Sequence, residues 1–244
     1  MKNIVKFDNL KINNLSFNNK NQICNKDGTF IIQSPAMNLN WNISCAQFNN
    51  KDKYSLSLTF KGMENDENLM EFFKVLKNLD NFILKYIIRN KNKLFQKEIS
   101  NDMIKKSYIP LIKLSLDKDT KQPDNKYPPS LKVNIPYKYN NFETIVFNSK
   151  KEEINFKNTP IVGILVKDLK VKLLIKMSNI WVMENKSGCS LSATQIKLTE
   201  THKKLKNYSF VENSDESDDE YDVDSNDDEN SDSDADNKEG EEYF

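Results

Sequence analysis

Histidine and arginine are almost missing from these 244 residues, with His202 and Arg89 the single examples of each. One imidazole, flanked by Lys203 and Lys204, leaves no Ser-His or Cys-His pair with a third group to orient it, so triad-type catalysis has no support. Glycine is scarce as well. Gly28, Gly62, Gly163, Gly188 and Gly240 stand apart from one another, which removes a glycine-rich phosphate loop. The carboxylates of the body are scattered among lysines in no Asp-x-Asp or Glu-x-x-His group, and these absences together point away from an enzyme. Three cysteines, Cys24, Cys45 and Cys189, cannot all pair and are too widely spaced for a disulfide framework. With His202 they include the ligand types of a zinc site but not its short Cys-x-x-Cys hairpins, so no metal or cofactor is expected. No apolar run reaches the roughly 18 residues of a membrane span. The best candidate, Ile161 to Ile175, is broken by Lys167, Asp168, Lys170 and Lys172. The start, Met1-Lys-Asn-Ile-Val-Lys-Phe-Asp, lacks a secretory pattern, so an intracellular protein with no membrane partner is expected.

Charge is what the chain has in quantity, at 30% of residues, and it is segregated. The formal net charge is zero, yet 17 acids and one lysine lie between Glu212 and Phe244, giving that stretch −16 and leaving +16 on Met1 to Val211. A basic domain over 1–211 followed by an acidic tail over 212–244 is the expected organisation, the tail being too polar and self-repelling to fold.

Within the basic part, short alternating runs read as strands: Ile4 to Phe7, Gly28 to Gln33, Leu39 to Cys45, and Tyr54 to Phe60. The period then changes. Leu69, Phe72, Phe73, Leu76, Leu79, Ile83, Tyr86 and Ile87 recur at three and four residues behind Asn65-Asp66-Glu67, predicting a capped helix over about 66–90. A shorter helix is predicted over Glu98 to Lys106, then alternation from Ile109, a polar loop from Asp117 to Lys126, and strands at Leu131 to Ile135, Glu143 to Phe147, Ile161 to Ile175, Ser178 to Met183 and Ser190 to Leu198. Lys186-Ser-Gly-Cys reads as the turn joining the last two. Strands, one long helix and more strands is the order of a mainly β, OB-like Greek-key barrel, in which a helix follows the third strand of five.

Binding chemistry is better supplied than catalysis. Unpaired nucleic acid needs cations for its phosphates and flat rings for its bases. Lys126, Tyr127, Lys132, Tyr137, Lys138 and Tyr139 interleave the two kinds. Lys105, Lys106, Tyr108 and Lys113 repeat the combination, and Trp181 stands between Lys176 and Lys186. Rings in strands serve more often as packing, so each has a structural reading beside the functional one. The tail admits three readings: a solubiliser, an anionic rival for the basic body, or a docking peptide whose terminal Glu241-Glu242-Tyr243-Phe244 puts aromatic rings behind two acids.

Ser34-Pro-Ala-Met with Trp41-Asn-Ile-Ser, Tyr54-Ser-Leu-Ser-Leu-Thr-Phe, Tyr127-Pro-Pro-Ser-Leu-Lys-Val, and Asn179-Ile-Trp-Val-Met-Glu-Asn-Lys-Ser-Gly-Cys-Ser-Leu resemble segments of OB-fold single-stranded DNA-binding proteins of the podovirus type, in particular the branch found in large nucleo-cytoplasmic DNA viruses. The resemblance covers nearly the whole chain. It implies a protein that coats and protects exposed strands in viral DNA replication, recombination and repair, in the host cytoplasm or nucleus. It also implies that Glu241, Glu242, Tyr243 and Phe244 recruit replication proteins, a polymerase or a primase-helicase. A homodimer is left open, and Glu64 to Tyr108 would be an elaboration without an assigned role. The alternative from another class is an acidic-tailed chaperone or scaffold for basic partners, and an RNA-binding module would show the same stacking surfaces.

Overall fold

The computed structural model describes residues 3–48, 50–155 and 160–199, which belong to one compact unit, Met1–Lys203. The domain division expected at residue 211 and the acidic tail lie outside the described residues.

The chain first lays down β1 (Ile4–Lys6), β2 (Ser16–Phe17), β3 (Ile23–Cys24), β4 (Ile31–Gln33), β5 (Met37–Leu39), β6 (Ser44–Phe48) and β7 (Lys51–Thr59). Three helices follow, α1 (Glu67–Arg89), α2 (Lys91–Phe95) and α3 (Asn101–Ser107). Then come β8 (Tyr108–Ile109), β9 (Ile112–Lys113), β10 (Ser130–Ile135), β11 (Tyr137–Lys138), β12 (Asn141–Phe142), β13 (Ile145–Phe147), α4 (Ile161–Ile164), β14 (Lys170–Met183) and β15 (Lys186–Leu198).

Five strands close on themselves. β5 pairs β7, β7 pairs β10, β10 pairs β15, β15 pairs β14, and β14 returns to β5. All of these pairs are antiparallel except β10 with β15, which meet in parallel at Asn134 and Ser192. Inward positions are apolar on every strand: Leu56 and Leu58 on β7, Leu131 and Val133 on β10, Val171, Leu173 and Ile175 on β14, and Ala193 and Ile196 on β15. Closure leaves these strands no free edge in the ring and encloses one core.

The long helix was legible because its signals are local. The Asp66 carboxylate accepts from the Leu69 N–H at 3.0 Å, and Leu69, Phe72, Leu76, Leu79, Ile83 and Ile87 face the barrel. Phe72 meets Phe7 edge-on at 5.5 Å, while Phe17 stacks on Tyr86 at 3.6 Å between ring centres. Its position differs from expectation: α1 enters between the second and third ring strands, β7 and β10, rather than after the third.

Other boundaries move for identifiable reasons. Ile161 to Ile175 is not one strand, because Ile161 and Leu165, four apart, bury the same side of a short helical turn, and the chain turns at Asp168 with φ +63 before β14 begins. Ser178 to Met183 is continuous with β14. The hairpin turns at Glu184-Asn185, so Lys186 to Cys189 lies within β15 rather than in a turn. Pro110, which has no N–H to give a ladder, splits the expected strand after Ile109 into the two-residue β8 and β9.

Candidate nucleic-acid interface

Beyond the ring, β14 and β15 run on together as a two-stranded ribbon from Ile180 and Cys189 to Met183 and Lys186. A trough of about 1030 Å³ opens between this ribbon and the outer face of β7, β10 and β11. Alternation puts Lys132 and Asn134 of β10 outward, since Leu131, Val133 and Ile135 are spent on the core. Lys53, Tyr54, Tyr137, Lys138, Lys176 and Trp181 line the trough. A smaller hollow of about 200 Å³ adjoins it, sharing Asn134, Trp181 and Ser190 and adding Lys113 and Lys132. Across the two concavities five lysines face two acids, Asp52 and Glu143. Glu143 accepts from Lys138 Nζ at 3.0 Å, so one of the five is already partnered.

Rings punctuate the cations. Tyr54, Tyr137 and Phe142 form a cluster with centroid separations of 5.0, 4.9 and 4.7 Å. Hydrogen bonding with Cys45, then desolvation and nearby Asp52, pushes the Tyr54 hydroxyl up to about 12, so this ring adds no negative charge at neutral pH. Trp181 lies over Gly188, its cross-strand partner. A β-carbon at that glycine would stand 2.8 Å from Trp181 Cζ2 and 3.0 Å from the Ile109 carbonyl oxygen, so the glycine allows the ring to lie down. The Trp181 Nε1 is buried without a hydrogen-bond partner. With Asn134 and Ser190, Trp181 forms the wall common to both hollows.

Of the residues expected from sequence, Lys113, Lys132, Tyr137, Lys138, Lys176 and Trp181 are gathered here. Tyr139 is 96% exposed at the tip of the β11–β12 hairpin, where it and Asn140 both have positive φ. Lys126 and Tyr127 lie on the exposed loop before β10, the ammonium 5.7 Å from the ring centre. Lys105 and Lys106 end α3, and the Ser107 hydroxyl donates to the Asn185 carbonyl at 2.5 Å, bringing that helix end to the turn that Lys186 follows. These three lysines are exposed and line neither hollow. Tyr108 is engaged elsewhere, because its hydroxyl donates to buried Asp80 at 2.6 Å, and it braces α1 against β8 rather than offering a free face. Lys53 and Tyr54 were missed by the sequence reading, as was exposed Phe48, over which Lys53 Nζ sits at 3.8 Å. The alternation of Tyr54 to Phe60 was visible in sequence; which of its ends reached the trough was not. Glu241, Glu242, Tyr243 and Phe244 lie outside the described residues, as does His202. Cys24 and Cys189 are buried and Cys45 is exposed. Among the described residues no helix is long and apolar enough to cross a membrane, and no three metal-ligating side chains come together.

Fold and site thus define a closed five-stranded β-barrel with a long helix inserted after its second strand and a cationic, ring-lined trough on its outer face. No family model matches the chain, and no curated protein does. Among solved structures it is similar to the single-stranded DNA-binding protein from bacteriophage Enc34 in complex with single-stranded DNA, at 13% identity over 78% of this chain and 97% of that one, with a TM-score of 0.41. It is also similar to gp2.5, a single-stranded DNA-binding protein encoded by bacteriophage T7, at 13% identity over 75% and 98% of the two chains, with a TM-score of 0.38. At that degree of likeness, function has to be argued from the site itself.

Proposed function

We propose that this protein is an OB-type barrel that binds single-stranded DNA without catalysing its chemistry, coating exposed strands in replication, recombination and repair. The observation that carries the reading is the trough: Lys53, Lys138 and Lys176 for phosphates and Tyr54, Tyr137 and Trp181 for bases line the same concavity beside β7 and β10. These are the second and third barrel strands, the face with which OB barrels take up oligonucleotides. Lysines carry no base-reading fork and stacking accepts any base, so binding should tolerate sequence and weaken with salt. The acidic stretch 212–244 competes for the same cations, and Glu241, Glu242, Tyr243 and Phe244 recruit replication proteins.

The test is a titration with oligo-dT in a Trp41→Phe background, so that Trp181 alone reports. Its fluorescence should change on binding unpaired oligomer and far less with duplex, and Trp181→Ala should weaken binding by roughly 1–3 kcal/mol, the worth of one stacked base. A flat signal together with no measurable affinity for oligo-dT at low salt rejects the reading.

A further inference from the structure

The outer face of β4, β14, β15 and β13 carries a separate concavity of about 410 Å³, whose lining includes Phe147, Lys151, Lys172, Leu174, Gln195 and Lys197. Lys172 and Lys197 sit directly opposite each other across the β14–β15 ladder, and Phe147 lies beside Lys197 on β13. Like charges in facing positions destabilise a sheet. Among the described residues neither lysine forms an ion pair. In sequence Asp168 precedes Lys172 by four residues and Glu200 follows Lys197 by three; Glu152 and Glu153 are next to Lys151, and Glu152 is held by the Asn148 amide, which donates to it at 2.7 Å. The barrel therefore keeps two facing cations on its surface at a cost to its own stability.

Their location connects them to the trough. Gln195 lines both concavities. On β14, Lys172 and Lys176 lie on the same outward face four residues apart, about 13 Å of strand, with Lys176 already in the trough. Patch and trough form one surface with Leu174 between them.

We propose that a strand leaving the trough continues across β14 and β15, and that Lys151, Lys172 and Lys197 hold its phosphates as a base-independent exit site. This rests on the reading of the trough as a single-strand site. An extended polyanion fits better than a compact anion. Lysines alone, on a floor of Leu174 and Phe147, give point charges spread along a path, with no cradle of backbone N–H groups and no bidentate fork.

The experiment uses the full chain and its Lys172→Gln/Lys197→Gln double variant, with oligo-dT of about 6 and about 20 nucleotides bracketing most of the ~4–16 nucleotides a single barrel occupies. For the long oligomer, the slope of log affinity against log salt should fall by about 1.4, about 0.7 for each lost phosphate contact, while the short oligomer binds as before. Lys172→Arg/Lys197→Arg should keep the wild-type slope. Thermal unfolding by circular dichroism should show the Gln variant folded, since it relieves a like-charge pair. Unchanged slopes on the long oligomer, or equal losses on both lengths, overturn the proposal. Tighter binding by the Gln variant also overturns it, because the patch would then be holding the chain's own acidic stretch. A wild-type chain that binds neither oligomer overturns the trough reading and takes the exit site with it; a wild-type chain that binds both with the variant's slopes overturns the exit site alone.

Discussion

Trp181 and Gly188 face each other across the β14–β15 ladder, and the missing β-carbon is what lets the indole lie against the strand. Gly188→Ala puts a methyl 3.0 Å from the Ile109 carbonyl oxygen and closer still to the ring. It should cost about 1–3 kcal/mol as an overpacked site, read as a lower urea midpoint. It should also weaken oligo-dT binding, because the displaced ring is part of the wall common to both hollows. A variant with wild-type midpoint and affinity would show that the ring is not held there. From sequence this glycine read as a turn residue, since its partner's ring is brought to it only by the register of the hairpin. Tyr108 shows the same limit: Lys105 and Lys106 stand just before it in sequence, but its hydroxyl goes to Asp80, 28 residues earlier on α1.

The join between α1 and the segment after α3 depends on that carboxylate. Asp80 accepts from the Tyr108 hydroxyl and from the Leu111 N–H at 2.9 Å, tying the helix to the strand stubs that border the smaller hollow. Burial raises the Asp80 carboxyl above its ordinary range, against the lowering influence of Tyr108, of the Leu111 and Ile112 N–H groups, and of Lys77. The folded state therefore holds this proton more readily than the unfolded chain does. Its contribution to stability is fully present below the unfolded-state pKa and is lost as pH rises through the folded one. Asp80→Asn keeps an Oδ1 acceptor for both donors but removes the titration. Urea midpoints compared at about pH 4 and about pH 7 should show the variant gaining on the wild type as pH rises, and parallel midpoints would contradict this. Asp80→Ala leaves both donors unpaired and should cost about 1–3 kcal/mol at either pH.

For the whole molecule the decisive quantity is the separation of charge, +16 over 1–211 and −16 over 212–244. If the acidic stretch competes with DNA for the trough, deleting Glu212 to Phe244 should tighten oligo-dT binding at low salt, with the gain shrinking as salt screens both contacts. Equal affinities for full and shortened chains at low salt would remove the competition. Deleting Phe244 alone should leave oligo-dT affinity nearly unchanged while weakening capture of a replication partner. Equal effects on both would join the two roles.

Sequence by itself determined what depends on neighbours: the span and cap of α1, the outward alternation of β10, the polar loop before it and the division of charge. Each arises from periodicity, capping or composition, which act over a few residues or over the whole chain at once. Tertiary structure decided which cations and rings share a surface. Lys53, Lys113, Lys132 and the β14 pair Lys176 and Trp181 come from four separate stretches of chain, and only the closing of β5, β7, β10, β15 and β14 into a ring aligns them. Lys172 meets Lys197 through the register of the β14–β15 hairpin, which the turn at Glu184-Asn185 and two irregularities along the ladder fix, and alternation along either strand alone does not record that register.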